Sequence, residues 1–144
     1  MDERDGPASG LIRLAFLVEG VYAEVGHDCE LTPTQAQMLC LLRGQARGMA
    51  ELVRTLGVER SSLTGLVDRA ERSGLVERRS DPADRRAVRV ALTPAGDAAA
   101  RRFHDEVTER LAELLAELPE SERARFNRTV ARVVATAEVP ALFG

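Results

Sequence analysis

Residues 49–92 read MAELVRTLGVERSSLTGLVDRAERSGLVERRSDPADRRAVRVAL. The spacing of apolar residues predicts a short helix that ends at Gly57, a turn over Val58 and Glu59, and a second helix with a buried stripe. The residues of that stripe are Leu63, Leu66, Val67 and Ala70. Two helices joined by a tight turn that contains glycine are typical of a helix-turn-helix.

A β-hairpin is predicted after the second helix. Its strands are expected from Leu75 to Arg79 and from Val88 to Leu92, and Asp81-Pro82 suits the first two positions of a type I turn between them. In the second strand Val88, Val90 and Leu92 alternate with other residues, which places these three side chains on one face. A hairpin in this position is the wing of a winged helix-turn-helix.

The same segment is basic. Between Arg60 and Val90 there are eight Arg against five Asp or Glu, whereas the whole chain has a net charge of −3. A basic module in an acidic protein favours a polyanionic partner, and a helix-turn-helix places the start of its second helix in the major groove of DNA. The minor groove attracts arginine from a wing. The residues predicted to contact double-stranded DNA are Arg60, Ser61, Ser62, Thr64, Gly65, Arg69, Arg72, Arg79, Arg85 and Arg86.

Charge alone does not explain three residues of the segment. Gly65 lies within a predicted helix, where glycine costs about 1 kcal/mol relative to alanine. Close contact with DNA and neutral drift are both open explanations. Asp81 and Asp84 would weaken attraction to DNA, so we predict that they shape the wing by accepting backbone N–H bonds or by orienting an arginine. The alternative for the whole hairpin is an ordinary solvated surface.

Amphipathic helices are predicted on both sides of this segment. A first helix of about 17 residues starts near Leu11 and ends at 26–28, and a second starts at the Thr32-Pro33 cap and ends near Arg43. Thr93-Pro94 starts a long helix that Pro119 interrupts, and a last helix and an apolar tail at 139–143 follow. Apolar residues of the long helix are Phe103, Val107, Leu111, Leu114, Leu115 and Leu118, and those of the last helix are Phe126, Val130, Val133 and Val134. The predicted fold class is mainly α with a small β-hairpin.

Several function classes are excluded by what the chain lacks. No apolar run reaches the roughly 18 residues of a membrane helix, and no signal peptide is visible, so a soluble cytoplasmic protein without a membrane partner is predicted. Cys29 and Cys40 lack metal-ligand spacing, and Cys40 is predicted to be buried. No catalytic arrangement, metal cluster or phosphate-binding glycine loop is visible, so no catalytic residue, metal, cofactor or enzyme activity is predicted. The alternative to DNA binding is a winged-helix module that binds proteins.

Residues 31–100 resemble the MarR family of bacterial transcription regulators. The matching stretches are LTPTQAQML, AELVRTLGVERSSLTGLVDRAERSGLVER, DPADRRAV and VALTPAG. The resemblance implies a single domain over 1–144, with dimerisation helices at 8–30 and 94–144 and a winged helix-turn-helix at 31–93. It also implies a homodimeric repressor that binds pseudo-palindromic DNA. The family wing commonly has Asp-x-Arg-Asp-x-Arg, but Ala83 replaces the middle arginine here, which leaves minor-groove insertion to Arg85 or Arg86.

A small-molecule effector is a further implication of the resemblance. Many relatives lose DNA affinity when a phenolic or other anionic compound binds between the dimerisation helices and the winged helix. Tyr22 and His27 are the residues expected to line such a pocket, and an exposed turn residue is the alternative for His27. Other relatives use a reactive cysteine early in the first helix. Because Cys29 follows that helix, peroxide sensing is not expected.

Overall fold

A computed structural model describes residues 6–137 and residue 139 of the chain. This part forms six α-helices and one small antiparallel sheet, which confirms the expected fold class. The elements are α1 (Pro7–Asp28), α2 (Pro33–Leu41), β1 (Arg47–Gly48), α3 (Met49–Leu56), α4 (Arg60–Arg72), β2 (Val76–Ser80), β3 (Val88–Leu92), α5 (Pro94–Leu115) and α6 (Glu120–Thr136). None of the helices in the described ranges is long and apolar enough to cross a membrane.

Threonine caps begin α2 and α5, as the sequence predicts. The Thr32 hydroxyl accepts a hydrogen bond from the Gln35 backbone N–H at 3.2 Å, and the Thr93 hydroxyl accepts one from the Gly96 N–H at 3.1 Å. Each cap is followed by proline, whose missing N–H costs nothing in the first turn. α2 ends at Leu41, slightly before the predicted Arg43, and α1 begins at Pro7, earlier than the predicted Leu11.

The helix-turn-helix has the predicted geometry. Gly57 ends α3 with φ 64° and ψ 31°, a left-handed conformation that other residues adopt at a cost. On α4 the predicted stripe is buried, with Leu63, Val67 and Ala70 fully inaccessible and Leu66 nearly so. α4 is therefore fixed to the core by one face and leaves the opposite face exposed.

The sheet contains a strand that the sequence analysis missed. Its strand order is β1-β3-β2, and the two-residue β1 pairs Arg47 with Val90 and Gly48 with Arg89. Two residues are too few to show an alternating pattern, so only pairing with β3 reveals β1. β2 is shifted by one residue from the predicted 75–79, whereas β3 has the predicted bounds.

The core lies where α2, α4, α5 and the sheet meet. Cys40 is buried as predicted, and its neighbours Met38, Leu39 and Leu41 are buried with it. Phe103 and Val107 are the buried residues of the predicted α5 stripe, since burial on α5 decreases towards its C-terminal end. The predicted shared face of β3 is only partly buried, because Val88 is 42% exposed at the end next to the wing loop.

The outer ends of the molecule expose many apolar side chains. α6 has the apolar side that the sequence predicts, but it buries none of its residues. The large exposed apolar side chains of α1, α5 and α6 are Leu11, Ile12, Leu14, Phe16, Leu17, Leu114, Phe126, Val130, Val133 and Val134. Val139 is also exposed, and the rest of the predicted apolar tail, 140–143, lies outside the described residues.

Candidate nucleic-acid interface

The first turn of α4 presents small hydroxyl side chains on an exposed face. Arg60 is its first residue, and Ser61, Ser62 and Thr64 are exposed. The Thr64 hydroxyl donates to the Arg60 carbonyl at 2.9 Å, which leaves its oxygen free to accept. Glu59, the residue before the helix, makes no side-chain cap, so the first backbone N–H groups of α4 are not occupied by a cap.

Most of the predicted DNA-contacting arginines have no acidic partner. Arg60, Arg69 and Arg72 lie on α4, and Arg85 and Arg86 lie in the wing loop. All five are exposed, and none forms an ion pair with another residue in the described ranges. Their charges are therefore available to an external anion.

The two predicted aspartates accept backbone hydrogen bonds within the wing loop. A carboxylate oxygen of Asp81 accepts the Ala83 N–H at 2.9 Å, and one of Asp84 accepts the Arg86 N–H at 3.0 Å. The chain reverses at Asp84–Ala87, where the Ala87 N–H donates to the Asp84 carbonyl at 3.0 Å. The type I turn predicted to start at Asp81-Pro82 is wrong, because the Asp81 N–H bonds to the Ala87 carbonyl and so delays the reversal. The later turn leaves Arg85 and Arg86 at the tip.

Two arginines of β2 are paired, in contrast to those of α4 and the wing loop. Arg79, a predicted DNA contact, forms an ion pair with Glu77 of its own strand. Arg78 reaches across to α4, where its guanidinium donates to Asp68 at 2.5 Å and to Glu71 at 2.8 Å. The hydrogen bond that Arg78 donates to Asp68 is the main cause that raises the pKa of Arg78. This contact is not visible in the sequence, because nothing local indicates that a strand residue meets these two helix positions.

The junction between the helix-turn-helix and α5 is a second close contact that the sequence did not reveal. The Thr93 hydroxyl donates to the Gly74 carbonyl at 2.5 Å, and the Thr93 N–H donates to the Leu75 carbonyl at 3.1 Å. A Cβ atom on Gly96 would lie 1.8 Å from the Leu75 carbonyl oxygen. The glycine in the stretch LTPAG therefore allows the start of α5 to rest against the end of the helix-turn-helix.

Comparison with known proteins identifies the family. A model of the MarR family matches residues 30–87. The multiple antibiotic resistance protein MarR of Escherichia coli (strain K12) is 34% identical over 107 residues, which cover 73% of this chain and 74% of that protein. The chain belongs to the MarR family.

Solved structures of MarR-family proteins have the same fold. Wild-type MarR from E. coli in its apo form has a TM-score of 0.73 at 31% identity, and the match covers 86% of this chain and 96% of that one. CouR from Rhodococcus jostii RHA1, solved bound to p-coumaroyl-CoA, has a TM-score of 0.72 at 26% identity over 90% of this chain and 92% of that one. The protein is thus a DNA-binding transcriptional regulator of the MarR family with a winged helix-turn-helix.

In this MarR-family chain Gly65 is not required by packing. A Cβ atom there would meet only the flexible end of the Arg69 side chain, at 3.3 Å. The two explanations of Gly65, contact with DNA and neutral drift, therefore remain distinct and can be separated by experiment.

The residues expected to line a ligand pocket lie in different surroundings. The Tyr22 ring packs edge-on against Phe103, with 5.6 Å between ring centroids, and its burial raises the pKa of the hydroxyl. His27 is exposed in the last turn of α1. A cleft of about 440 Å³ lies elsewhere, between the α2–β1 loop, β3 and the start of α5, and Arg79 and Asp97 are among its lining residues.

Metal-ligating side chains do not cluster in the described part of this MarR-family chain, where no group of three or more His, Cys, Asp or Glu residues could hold a metal ion. Cys29, at the end of α1, lies with its Sγ 3.9 Å from a carboxylate oxygen of Glu106. Burial and the charge of Glu106 raise the pKa of the Cys29 thiol.

Proposed function

We propose that this protein is a transcriptional repressor that binds a pseudo-palindromic operator as a homodimer and leaves it when a small anionic or phenolic ligand binds. In this proposal α4 enters the major groove and the wing tip enters the minor groove. The contacts come from the residues predicted above, with Arg85 or Arg86 in the minor groove, and Arg79 would first have to leave its partner Glu77. Asp81 and Asp84 hold the wing loop in shape.

The unpaired arginines carry the proposal. Arg60, Arg69 and Arg72 on α4 and Arg85 and Arg86 on the wing loop are exposed and have no acidic partner in residues 6–137 and 139. An arginine already paired with a carboxylate would have to break that pair before it bound phosphate or a base edge. Free arginines can bind guanine with two hydrogen bonds, which discriminates against a wrong base by about 1–3 kcal/mol.

The exposed apolar side chains of α1, α5 and α6 support the homodimer. A 17-residue helix that buries none of its residues is not stabilised by packing within one chain. Pairing with the same helices of a second copy would cover these side chains, in agreement with dimerisation helices at 8–30 and 94–144. A dimer would place two α4 helices about 34–36 Å apart, the spacing of successive major grooves.

Release by a ligand is supported by a relative, since CouR was solved bound to p-coumaroyl-CoA. The Tyr22 hydroxyl, whose pKa burial raises, can donate a hydrogen bond to an anionic group. Tyr22 and His27 are therefore proposed to lie beside the ligand. A small aromatic carboxylate such as benzoate is a suitable probe, and we expect it to lower the affinity for operator DNA less in Tyr22→Phe than in the wild type.

Quantitative gel shifts with the promoter of the protein's own operon test the proposal. The variant Arg85→Ala/Arg86→Ala is expected to lose at least ten-fold in affinity for this DNA. The matched control is Arg101→Ala/Arg102→Ala, which removes two exposed arginines whose partners, Asp97 and Glu106, lie on the same helix. Such exposed pairs contribute little to stability, so the control should fold and bind like the wild type.

Salt dependence separates this proposal from a module that binds proteins. A DNA-binding protein that neutralises several phosphates loses affinity steeply as salt rises, because counterions are released. Absence of specific binding by the wild type, or equal affinities for the Arg85/Arg86 variant and the control, would contradict the proposal.

A further inference from the structure

Arg78 links the wing to α4 through three hydrogen bonds. Its guanidinium donates to Asp68 at 2.5 Å and to Glu71 at 2.8 Å, and its backbone N–H donates to the second carboxylate oxygen of Glu71 at 3.2 Å. We call Arg78, Asp68 and Glu71 the Arg78 cluster. The side chain of Arg78 is 30% exposed, and those of Asp68 and Glu71 are 49% and 42% exposed, so the cluster lies at the surface and depends on geometry more than on burial.

The neighbouring arginine shows that this arrangement is specific to position 78. Successive side chains of a strand point to opposite faces, so Arg79 cannot reach α4 and pairs with Glu77 along its own strand. In the hairpin register Arg78 lies opposite Val90, which is fully buried. The Arg78 cluster is therefore on the face of the hairpin that packs towards the helix-turn-helix.

The connection between α4 and β2 is otherwise short. The chain passes through Ser73, Gly74 with φ 73°, and Leu75, and the backbone N–H groups of these three residues donate to carbonyls at the end of α4. These bonds fix the start of β2. Arg78 lies two residues into the strand and reaches back as far as Asp68, a full turn before the helix ends. Two attachment points along each element fix the angle between them, whereas one allows a hinge.

We propose that Arg78 is a positioning residue, held by Asp68 and Glu71, which sets the angle of the wing against α4 so that both grooves of DNA are bound together. The inference rests on the proposed DNA contacts of α4 and the wing tip. Arg78 itself contacts no DNA in this arrangement, because its guanidinium is already bound by two carboxylates.

Charge and positioning predict opposite effects when the two acids are removed. Asp68 and Glu71 lie on the helix that would enter the major groove, where negative charge repels phosphate. On charge alone, Asp68→Asn/Glu71→Gln would therefore bind DNA more tightly than the wild type. If these acids instead hold Arg78 in place, the same variant binds operator DNA more weakly, although it has lost two negative charges.

The experiment compares Asp68→Asn/Glu71→Gln, Arg78→Gln and the wild type on the same operator. Affinity comes from gel shifts over a range of salt concentrations. Hydroxyl-radical cleavage reports minor-groove protection, and dimethyl sulfate reports protection of guanine N7 in the major groove. The control is Asp105→Asn/Glu109→Gln on the part of α5 beside the buried Phe103 and Val107, where both acids are exposed; it makes the same change in net charge away from the Arg78 cluster and from the exposed apolar end of α5.

We expect both cluster variants to lose about ten-fold or more in operator affinity. Minor-groove protection should be lost first, while major-groove protection at saturation remains. The slope of log affinity against log salt should be unchanged in Arg78→Gln, since a lost phosphate contact would reduce it by about one. The control variant should bind at least as tightly as the wild type.

Two results would overturn the inference. One is wild-type or tighter binding by Asp68→Asn/Glu71→Gln, and the other is a reduced salt slope in Arg78→Gln, which would make Arg78 a direct DNA contact. Thermal unfolding checks that the variants are folded. If Arg78→Gln unfolds, Arg78→Lys keeps the charge with fewer donors and should show the same loss of minor-groove protection. Failure of the wild type to protect any DNA would instead contradict the proposed function.

Discussion

Cys29 shows how neighbours set the chemistry of a single residue. Its thiol lies 3.9 Å from Glu106, which in turn accepts a hydrogen bond from Arg102 at 2.9 Å. Burial is the largest of the causes that raise the pKa of the Cys29 thiol, and the negative charge of Glu106 raises this pKa further. Because the thiolate is the reactive form, a raised pKa lowers the reactivity of the thiol. This environment agrees with the sequence-based expectation that the protein does not sense peroxide, which stays a prediction.

Replacing Glu106 should make Cys29 more reactive. In Glu106→Gln the negative charge next to the thiol is lost, so its pKa falls and the fraction of thiolate at pH 8 rises. We expect faster alkylation of Cys29 by iodoacetamide, followed by mass spectrometry of the modified peptide. Cys40, whose pKa burial raises to about 12, serves as an unreactive internal reference. Glu109→Gln, on the same helix, is the control, and equal rates in the two variants would show that Glu106 does not govern the thiol.

At the scale of elements, two glycines inside helices differ in whether the surrounding structure leaves room for a larger residue. Gly96 belongs to the first turn of α5, where a Cβ atom would overlap the Leu75 carbonyl. Gly65 belongs to the middle of α4, where a Cβ atom would meet only the end of Arg69. The first glycine is required by how α5 contacts the helix-turn-helix. The second has no such reason within the chain.

Alanine at these two positions should act in opposite directions on stability. Gly96→Ala is expected to lower the free energy of unfolding by more than about 2 kcal/mol, because backbone atoms must move to admit the methyl group. Gly65→Ala is expected to raise it by up to about 1 kcal/mol. Urea denaturation measures both. If Gly65 allows close approach to DNA, Gly65→Ala also weakens operator binding, whereas unchanged binding would favour neutral drift.

At the scale of the whole molecule, many large apolar side chains of α1, α5 and α6 lie outside the core and are exposed. The apolar side chains of α2 and α4 are buried, whereas burial decreases along α1 towards its N-terminal end and along α5 towards its C-terminal end. Phe16 is 71% exposed and Val133 51% exposed. Such side chains stabilise a protein only when another surface covers them, which is the basis of the proposed homodimer.

Disrupting this surface should dissociate the proposed dimer. Val133→Asp places a charge among the exposed apolar residues of α6, and because Val133 is half-exposed in the single chain the variant should still fold. We expect a monomer by size-exclusion chromatography with light scattering, and weaker binding to a full operator. The control is Ala131→Asp, which lies on the other side of the helix, since two residues advance roughly 200°. A dimer in Val133→Asp as stable as that of the control would place the interface elsewhere.

Local signals made much of the fold predictable. Gly57, Thr32 and Thr93 determine where helices end or begin through φ angles and hydrogen bonds within three or four residues, so their roles are visible in the sequence. The buried stripe of α4 follows from the helical period in the same way. The candidate arginines of α4 and the wing were also visible, because a contrast in charge needs no knowledge of packing.

Contacts between distant residues were not predictable. β1 exists because Arg47 and Gly48 meet β3, and the Arg47 side chain adds bonds to the Leu41 carbonyl and to Glu51. The hairpin turn was placed too early, because the Asp81 N–H bonds across to Ala87. The pairing of Arg78 with Asp68 and Glu71 likewise depends on the angle between β2 and α4. The spacing of residues along the sequence contains no information on this angle.

The sequence by itself determined the order of helices, the helix-turn-helix, the wing and the basic charge of the segment between Arg60 and Val90, since each depends on short-range propensity, period or composition. Only the tertiary structure decided which arginines are paired with carboxylates of the chain and which are left unpaired. Arg78 and Arg79 are adjacent and identical in type, yet the first is bound to α4 and the second to its own strand. That difference arises because a strand directs successive side chains to opposite faces, and only the packed structure places α4 on one of them.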